Sequence, residues 1–176
     1  MIKKYLILFF VISFFSIPVY SASTGSSSSE KAKSDGREDQ YHLSVKNSYF
    51  KKGYDALKQA KKYKKKGKEV RAEKRFNDAI QFFLQANVEA PNEPDILNYL
   101  GFSYRKVDDF AMAEIYYTQG LEIDPTHNEI NKYLGQLYIE TNKIDEAKKR
   151  LDVLKSCACK EYNELKKSIK LSSSKY

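Results

Sequence analysis

Pro94–Pro125, PDILNYLGFSYRKVDDFAMAEIYYTQGLEIDP, is the stretch whose spacing decides the fold. Leu97, Leu100 and Tyr104 recur at intervals of three and four, so they form one apolar stripe along a first helix. Ala113, Tyr117 and Gly120 repeat that spacing on a second helix, with small residues where two backbones must come close. Asp108-Asp109 between them suits a tight turn followed by a helix start, with negative charge at the positive end of the helix. The pattern returns 34 residues later. Leu134-Gly135, Tyr138, Ile144, Ala147, Leu151 and Leu154 take the places of Leu100-Gly101, Tyr104, Phe110, Ala113, Tyr117 and Gly120. One period earlier only the second half recurs, as Phe76, Ala79, Phe83, Ala86 and Pro91.

Over about residues 60–161 the chain resembles the tetratricopeptide-repeat family, with Leu97 where the family usually carries Trp. The resemblance implies an all-α fold, a right-handed helical solenoid of antiparallel helix pairs that binds other proteins in its concave face. About three repeats are expected, as pairs near 43–93, 94–127 and 128–159, and a capping helix over 160–170 carries Tyr162, Leu165 and Ile169 on one side. Leu97, Leu100, Gly101, Tyr104, Ala113, Tyr117, Leu134, Gly135, Tyr138, Ala147 and Leu151 form the expected repeat core. The first pair departs from the pattern. Gly67 either turns between its two helices or lies within one, and the turn is preferred because Lys66 and Val70 stand where Leu and Tyr belong. The first repeat is then an elongated end unit whose first helix faces inward with Tyr49, Tyr54 (or Leu57), Ala60 and Tyr63.

The rest of the 176 residues read as appendages. Lys3-Lys4, an apolar run from Tyr5 to Ile17 and then Pro18 describe a secretory signal peptide over 1–23, cleaved after about Ser21 or Ser23. The rival reading, a retained anchor, needs roughly 20 apolar residues, more than are present. Residues 24–42 are Ser-rich and then mixed in charge, which describes a disordered linker, and 171–176 a frayed tail. The expected destination is a bacterial periplasm, or the medium if there is no outer membrane.

Charge is segregated along the chain. Residues 44–75 hold 13 Lys/Arg against 3 Asp/Glu, while 88–146 hold 4 against 12. The lysines either solvate a long terminal helix or make weak contact with an anionic surface, and export argues against nucleic acid. The inner face is the stronger candidate. The resemblance implies that the first helix of each pair lines it, which selects Asp95, Asn98, Tyr99, Phe102, Arg105 and Lys106 in the second repeat. The third repeat supplies Glu129, Lys132, Tyr133, Gln136, Ile139 and Glu140. Asn98, Tyr99, Phe102, Arg105, Lys132, Tyr133 and Gln136 are the residues expected to meet a protein or peptide partner, with the aromatics exposed. The Lys/Asn clamp that some family members use for C-terminal carboxylates is incomplete, since only Lys132 and Asn98 fit it loosely.

Two further features bear on chemistry. Cys157 and Cys159 are the only cysteines, and an oxidising compartment invites a disulfide between them. The alternative is a thiol-redox or soft-metal pair. His42 and His127 have no spaced acid or nucleophile partner, and there is no Gly-rich phosphate loop, so no enzyme, metal site or cofactor is expected. The overall expectation is a non-enzymatic interaction module or scaffold in the bacterial cell envelope.

Overall fold

The computed structural model describes residues 48–173. All of these residues belong to one compact unit. The predicted signal (1–23), the linker (24–42) and residues 174–176 all lie outside the described residues. The described residues form seven α-helices and no strand: α1 (Ser48–Lys65), α2 (Glu69–Glu89), α3 (Pro94–Lys106), α4 (Phe110–Ile123), α5 (Asn128–Glu140), α6 (Ile144–Val153) and α7 (Lys160–Ser173). A 3-10 turn, Leu154–Ser156, follows α6.

The turns obey local chemistry. Gly67, Asp108 and Asn142 take φ of 65°, 61° and 58°, so the turn within each helix pair has one left-handed residue of a type that tolerates it. Asp109 caps α4 by accepting a hydrogen bond from the Met112 amide at 3.1 Å. Pro94 opens α3, where its missing N–H costs nothing. The α5 cap is less usual. His127 Nδ1 accepts from the Ile130 amide, while Nε2 lies 3.3 Å from the Asp95 carboxylate at the start of α3. The starts of two successive inner helices are thereby tied together.

Close helix approach occurs where small residues meet large rings. A Cβ on Gly101 would stand 2.6 Å from the Tyr117 ring, and one on Gly53 would stand 2.7 Å from the Phe83 ring. Gly53 is therefore the first repeat's counterpart of Gly101. The two are separated by 48 residues, against 34 between Gly101 and Gly135, so the first repeat carries 14 more. Those residues are shared equally. α1 runs twelve residues beyond Gly53 where α3 runs five beyond Gly101. α2 begins ten residues before Ala79 where α4 begins three before Ala113. Seven extra residues per helix are two turns, so the first hairpin is longer by about 10 Å.

This register corrects the expected inward face of α1. Phe50, Gly53, Ala56, Leu57 and Ala60 are buried, whereas Tyr49, Tyr54 and Tyr63 flank that stripe half-buried. A bulkier side chain at the crossing would hold Phe83 away, so the helix turns its glycine to the ring. At the far end Leu165 and Ile169 of α7 bury against Ala147 and Leu154. Burying two such side chains contributes about 3–6 kcal/mol before conformational entropy is subtracted, and it covers the apolar end of the last pair. α7 continues helical to Ser173, past the expected cap end at 170.

Candidate partner-binding face

α1, α3, α5 and α7 supply the side chains of the face on which the predicted binding residues fall. The exposed aromatics expected there are not exposed. Asn98, Phe102, Arg105 and Lys132 are at most 7% accessible, and Tyr99, Tyr133 and Gln136 are half-buried. Tyr99 stacks on Phe83 at 5.3 Å and meets the edges of Phe50 and Tyr54, so it joins α3 to the first hairpin. Phe102 packs between Phe76 of α2 and Tyr133 of α5. Phe76 holds the place in the first pair that Phe110 holds in the second, so it belongs to the ordinary repeat and not to the added turns at 69–75.

The polar residues of the row are mostly engaged by the next inner helix. Asn98 Nδ2 donates to Glu129 at 2.9 Å. Arg105 donates from Nη1 to Glu140 and from Nη2 to Gln136, both at 3.1 Å. Lys132 reaches forward to α7, with Glu164 at 3.2 Å and the buried Glu161 at 3.9 Å. Burial opposes the charge on Lys132, but Tyr133, Glu129 and Glu164 outweigh it and hold its pKa up. In the two residues that fitted the carboxylate clamp loosely, Asn98 Nδ2 and Lys132 Nζ are thus already engaged by the chain's own carboxylates, while the buried Asn98 Oδ1 has no hydrogen-bond partner among the described residues. Tyr117, beneath the row, has its hydroxyl beside the Arg105 guanidinium without a well-aligned hydrogen bond, and burial pushes its pKa up.

Lys106 differs from its neighbours. Burial, and then the nearby charges of Arg105, Lys64 and Lys61, push its ammonium down to about 8, with Glu140 opposing them. Lys61 on α1 is lowered for the same first reason. Both ammonium groups face the Phe102 ring, at 4.9 Å for Lys61 and 5.4 Å for Lys106.

Comparison with known proteins places this arrangement. Residues 104–169 match the tetratricopeptide-repeat family model. Over those residues the chain matches the tetratricopeptide repeat. Solved structures of the same fold include the first tetratricopeptide-repeat domain of Spaghetti (RPAP3) bound to the HSP90 peptide SRMEEVD. That domain is 21% identical, with 70% of this chain and 97% of that one covered and a TM-score of 0.52. The type III secretion translocator chaperone SycD of Yersinia enterocolitica is 14% identical (71% and 94% covered, TM-score 0.53). The Sgt2 tetratricopeptide-repeat domain of Aspergillus fumigatus is 19% identical (66% and 78%, TM-score 0.51). At these identities the likeness is one of fold. No curated protein matches the chain by sequence.

In tetratricopeptide-repeat terms the matched region starts within the second repeat, and the elongated first pair lies outside it. Cys157 and Cys159 form a disulfide between the last repeat and its cap, with S–S 2.04 Å. Both pack against the cluster of Ala147, Leu154, Leu165 and Ile169, which places the bond at the base of the cap. Ala158 between them takes φ 48°, a left-handed conformation that costs an L residue about 1–2 kcal/mol. Sequence reasoning missed Gly53, Glu161 and Glu164. Gly53 was detectable as the one small residue within α1 a helical turn from Phe50 and Leu57. The glutamates carried no signal of their own.

Proposed function

We propose that this protein is a non-enzymatic interaction module, exported to the bacterial periplasm, that holds a segment of a partner protein along the face of α1, α3, α5 and α7. The observation that carries the reading is the run of half-buried Tyr99, Tyr133, Gln136 and Lys106 on that face. Aromatic and cationic groups set in partly desolvated surface are those that contribute most to protein recognition. A second support is the likeness of fold to a Spaghetti domain solved with a peptide bound. In this reading Asn98, Phe102, Arg105 and Lys132 do not reach for the partner. They fix the shape and charge of the floor on which it lies.

Photo-crosslinking tests the face. A benzoylphenylalanine at Tyr133 is expected to yield adducts with the partner in intact cells, and one at the exposed Glu122 of α4 is not. Adducts from position 122 alone would refute the reading. Destination is tested separately, by fusing alkaline phosphatase after residue 47. Export requires an active reporter, and an inactive one would remove the periplasmic assignment while leaving the face untouched.

A further inference from the structure

Along the inner face, cation after cation is matched by a carboxylate of the same chain. Arg105 has Glu140, and Lys132 has Glu161 and Glu164. The matching stops at the end next to α1. Lys61 and Lys106 come from different helices, converge on one ring, and among the described residues neither has a carboxylate within 4.0 Å. Lys61 then adjoins an open pocket of ≈ 410 Å³ lined by Lys58, Lys61, Lys62, Lys65 and Lys66. Three of those five, Lys61, Lys62 and Lys65, lie in the two turns that lengthen α1 beyond the ordinary repeat. Much of this concentration of positive charge is therefore a product of the insertion, and Lys58, which precedes it, already pairs with Asp55 at 3.9 Å.

We propose that Lys61 and Lys106, astride Phe102, bind the carboxylates of an acidic segment of the partner, with the α1 lysines of the adjoining pocket receiving further acidic residues. This rests on the reading that a partner lies along this face, and it names the chemistry of that partner. It places the anion site away from Asn98, whose Nδ2 donates to Glu129, and from Lys132, which Glu161 and Glu164 neutralise. Like charges crowded in partly desolvated surface raise the energy of the free protein, and an oxyanion between them relieves that repulsion while gaining two charge-assisted hydrogen bonds. The geometry suits side-chain carboxylates. The two nitrogens are separated by no more than the sum of their distances to the ring centroid, about 10 Å. Acidic side chains two apart on an extended segment face the same way about 6.6 Å apart. A membrane surface would instead meet the hairpin tip around Lys64, Lys66 and Lys68, not a pair of ammonium groups beside the buried Phe102 ring.

The test uses the protein purified as the cell produces it. The probe is a fluorescein-labelled, end-blocked Gly-Glu-Gly-Glu-Gly-Glu-Gly peptide, with its Gln counterpart as control. Binding of the Glu peptide is expected to weaken at least tenfold in Lys61→Gln/Lys106→Gln and to stay within twofold in Lys148→Gln/Lys149→Gln, which alters exposed lysines of α6. The Gln peptide is expected not to bind. Equal binding of the Glu peptide by the parent and by Lys61→Gln/Lys106→Gln would overturn the site. So would retention on phosphatidylglycerol vesicles that Lys64→Gln/Lys66→Gln abolishes, together with no peptide binding. A parallel selection of unbiased peptides, mapped by amide chemical shifts, separates the two levels of inference. Uncharged winners that shift Tyr99 and Tyr133 overturn the acidic specificity and leave the face standing. Winners that shift only α4 and α6 overturn both.

Discussion

Replacing Gly101 by Ala tests the packing on which the whole stack depends. A new Cβ would lie 2.6 Å from two carbons of the Tyr117 ring and 2.9 Å from a third, where contact distance for carbon is about 3.5 Å or more. The ring must move by close to an ångström. It is wholly buried, and its hydroxyl end lies against Arg105, which Glu140 and Gln136 hold in turn. Overpacking of this kind costs about 1–3 kcal/mol, and a rigid ring belongs at the upper end. Helix propensity acts the other way, since Ala in place of Gly gains roughly 1 kcal/mol. The net expectation is a loss of about 2 kcal/mol, which for a helical body of this size lowers the thermal midpoint by roughly 6–10 °C. Gly135→Ala is the internal comparison. Its Cβ would meet Leu165 Cδ2 at 2.6 Å, but that atom ends a flexible side chain that can rotate away, so the propensity gain should cancel most of the cost. Circular dichroism melts at 222 nm measure both. The decisive experiment combines Gly101→Ala with Tyr117→Leu, whose smaller side chain removes the clash, so the cost of the glycine substitution should largely vanish in that background. A midpoint within a degree of the parent for Gly101→Ala alone, or an undiminished cost in the Leu background, would refute the proposed contact.

Four other outcomes are expected. Ala113→Leu, at a fully buried helix crossing, should cost about 1–3 kcal/mol by the same melt. Lys132→Gln removes the buried cation beside Glu161 and leaves it only the exposed Lys160 at 3.7 Å, so it should destabilise by about 1–3 kcal/mol and expose amides 160–170 to hydrogen exchange before those of α3. Cys157→Ser with Cys159→Ser opens a very small ring, so the stability loss should stay below about 2 kcal/mol, again with the cap loosening first, and full protection of 160–170 would contradict a stapling role. Lys106, faced by Lys61 and Lys64 of α1, Arg105 of its own helix and Glu140 of α5, has a folded pKa pushed down to about 8 from an ordinary 10.5. Between those values the unfolded chain holds more protons, so this group makes stability rise with pH, whereas acidic-peptide affinity should fall as pH rises from 7 to 9. Titration by fluorescence anisotropy beside urea denaturation at each pH separates the two trends.

Short-range physics made much of this protein legible in its sequence. The 34-residue recurrence of Leu-Gly, Tyr and Ala sets helix pairs with small residues at the crossings, because i, i+3 and i+4 positions share one helix face whatever lies around them. Asp108, Asn142 and Gly67 could be read as turn residues because left-handed backbone is a property of the residue itself. Burial of the face was not legible. A helical period tells which side chains point together, and it is silent on what covers them. Phe102 is covered by Phe76 and Tyr133, Arg105 is held by Glu140, and Lys132 is claimed by Glu161 and Glu164, all across helix interfaces and some 26 to 35 residues distant in sequence. The tertiary structure alone decided that Asn98 and Lys132 are engaged by the chain's own carboxylates while Lys61 and Lys106 meet with no carboxylate of the described residues within 4.0 Å. The elongation of the first pair was readable from Gly67 and the missing half-period, but only the tertiary structure shows that the added turns of α1 bring its Lys61 beside Phe102 of α3.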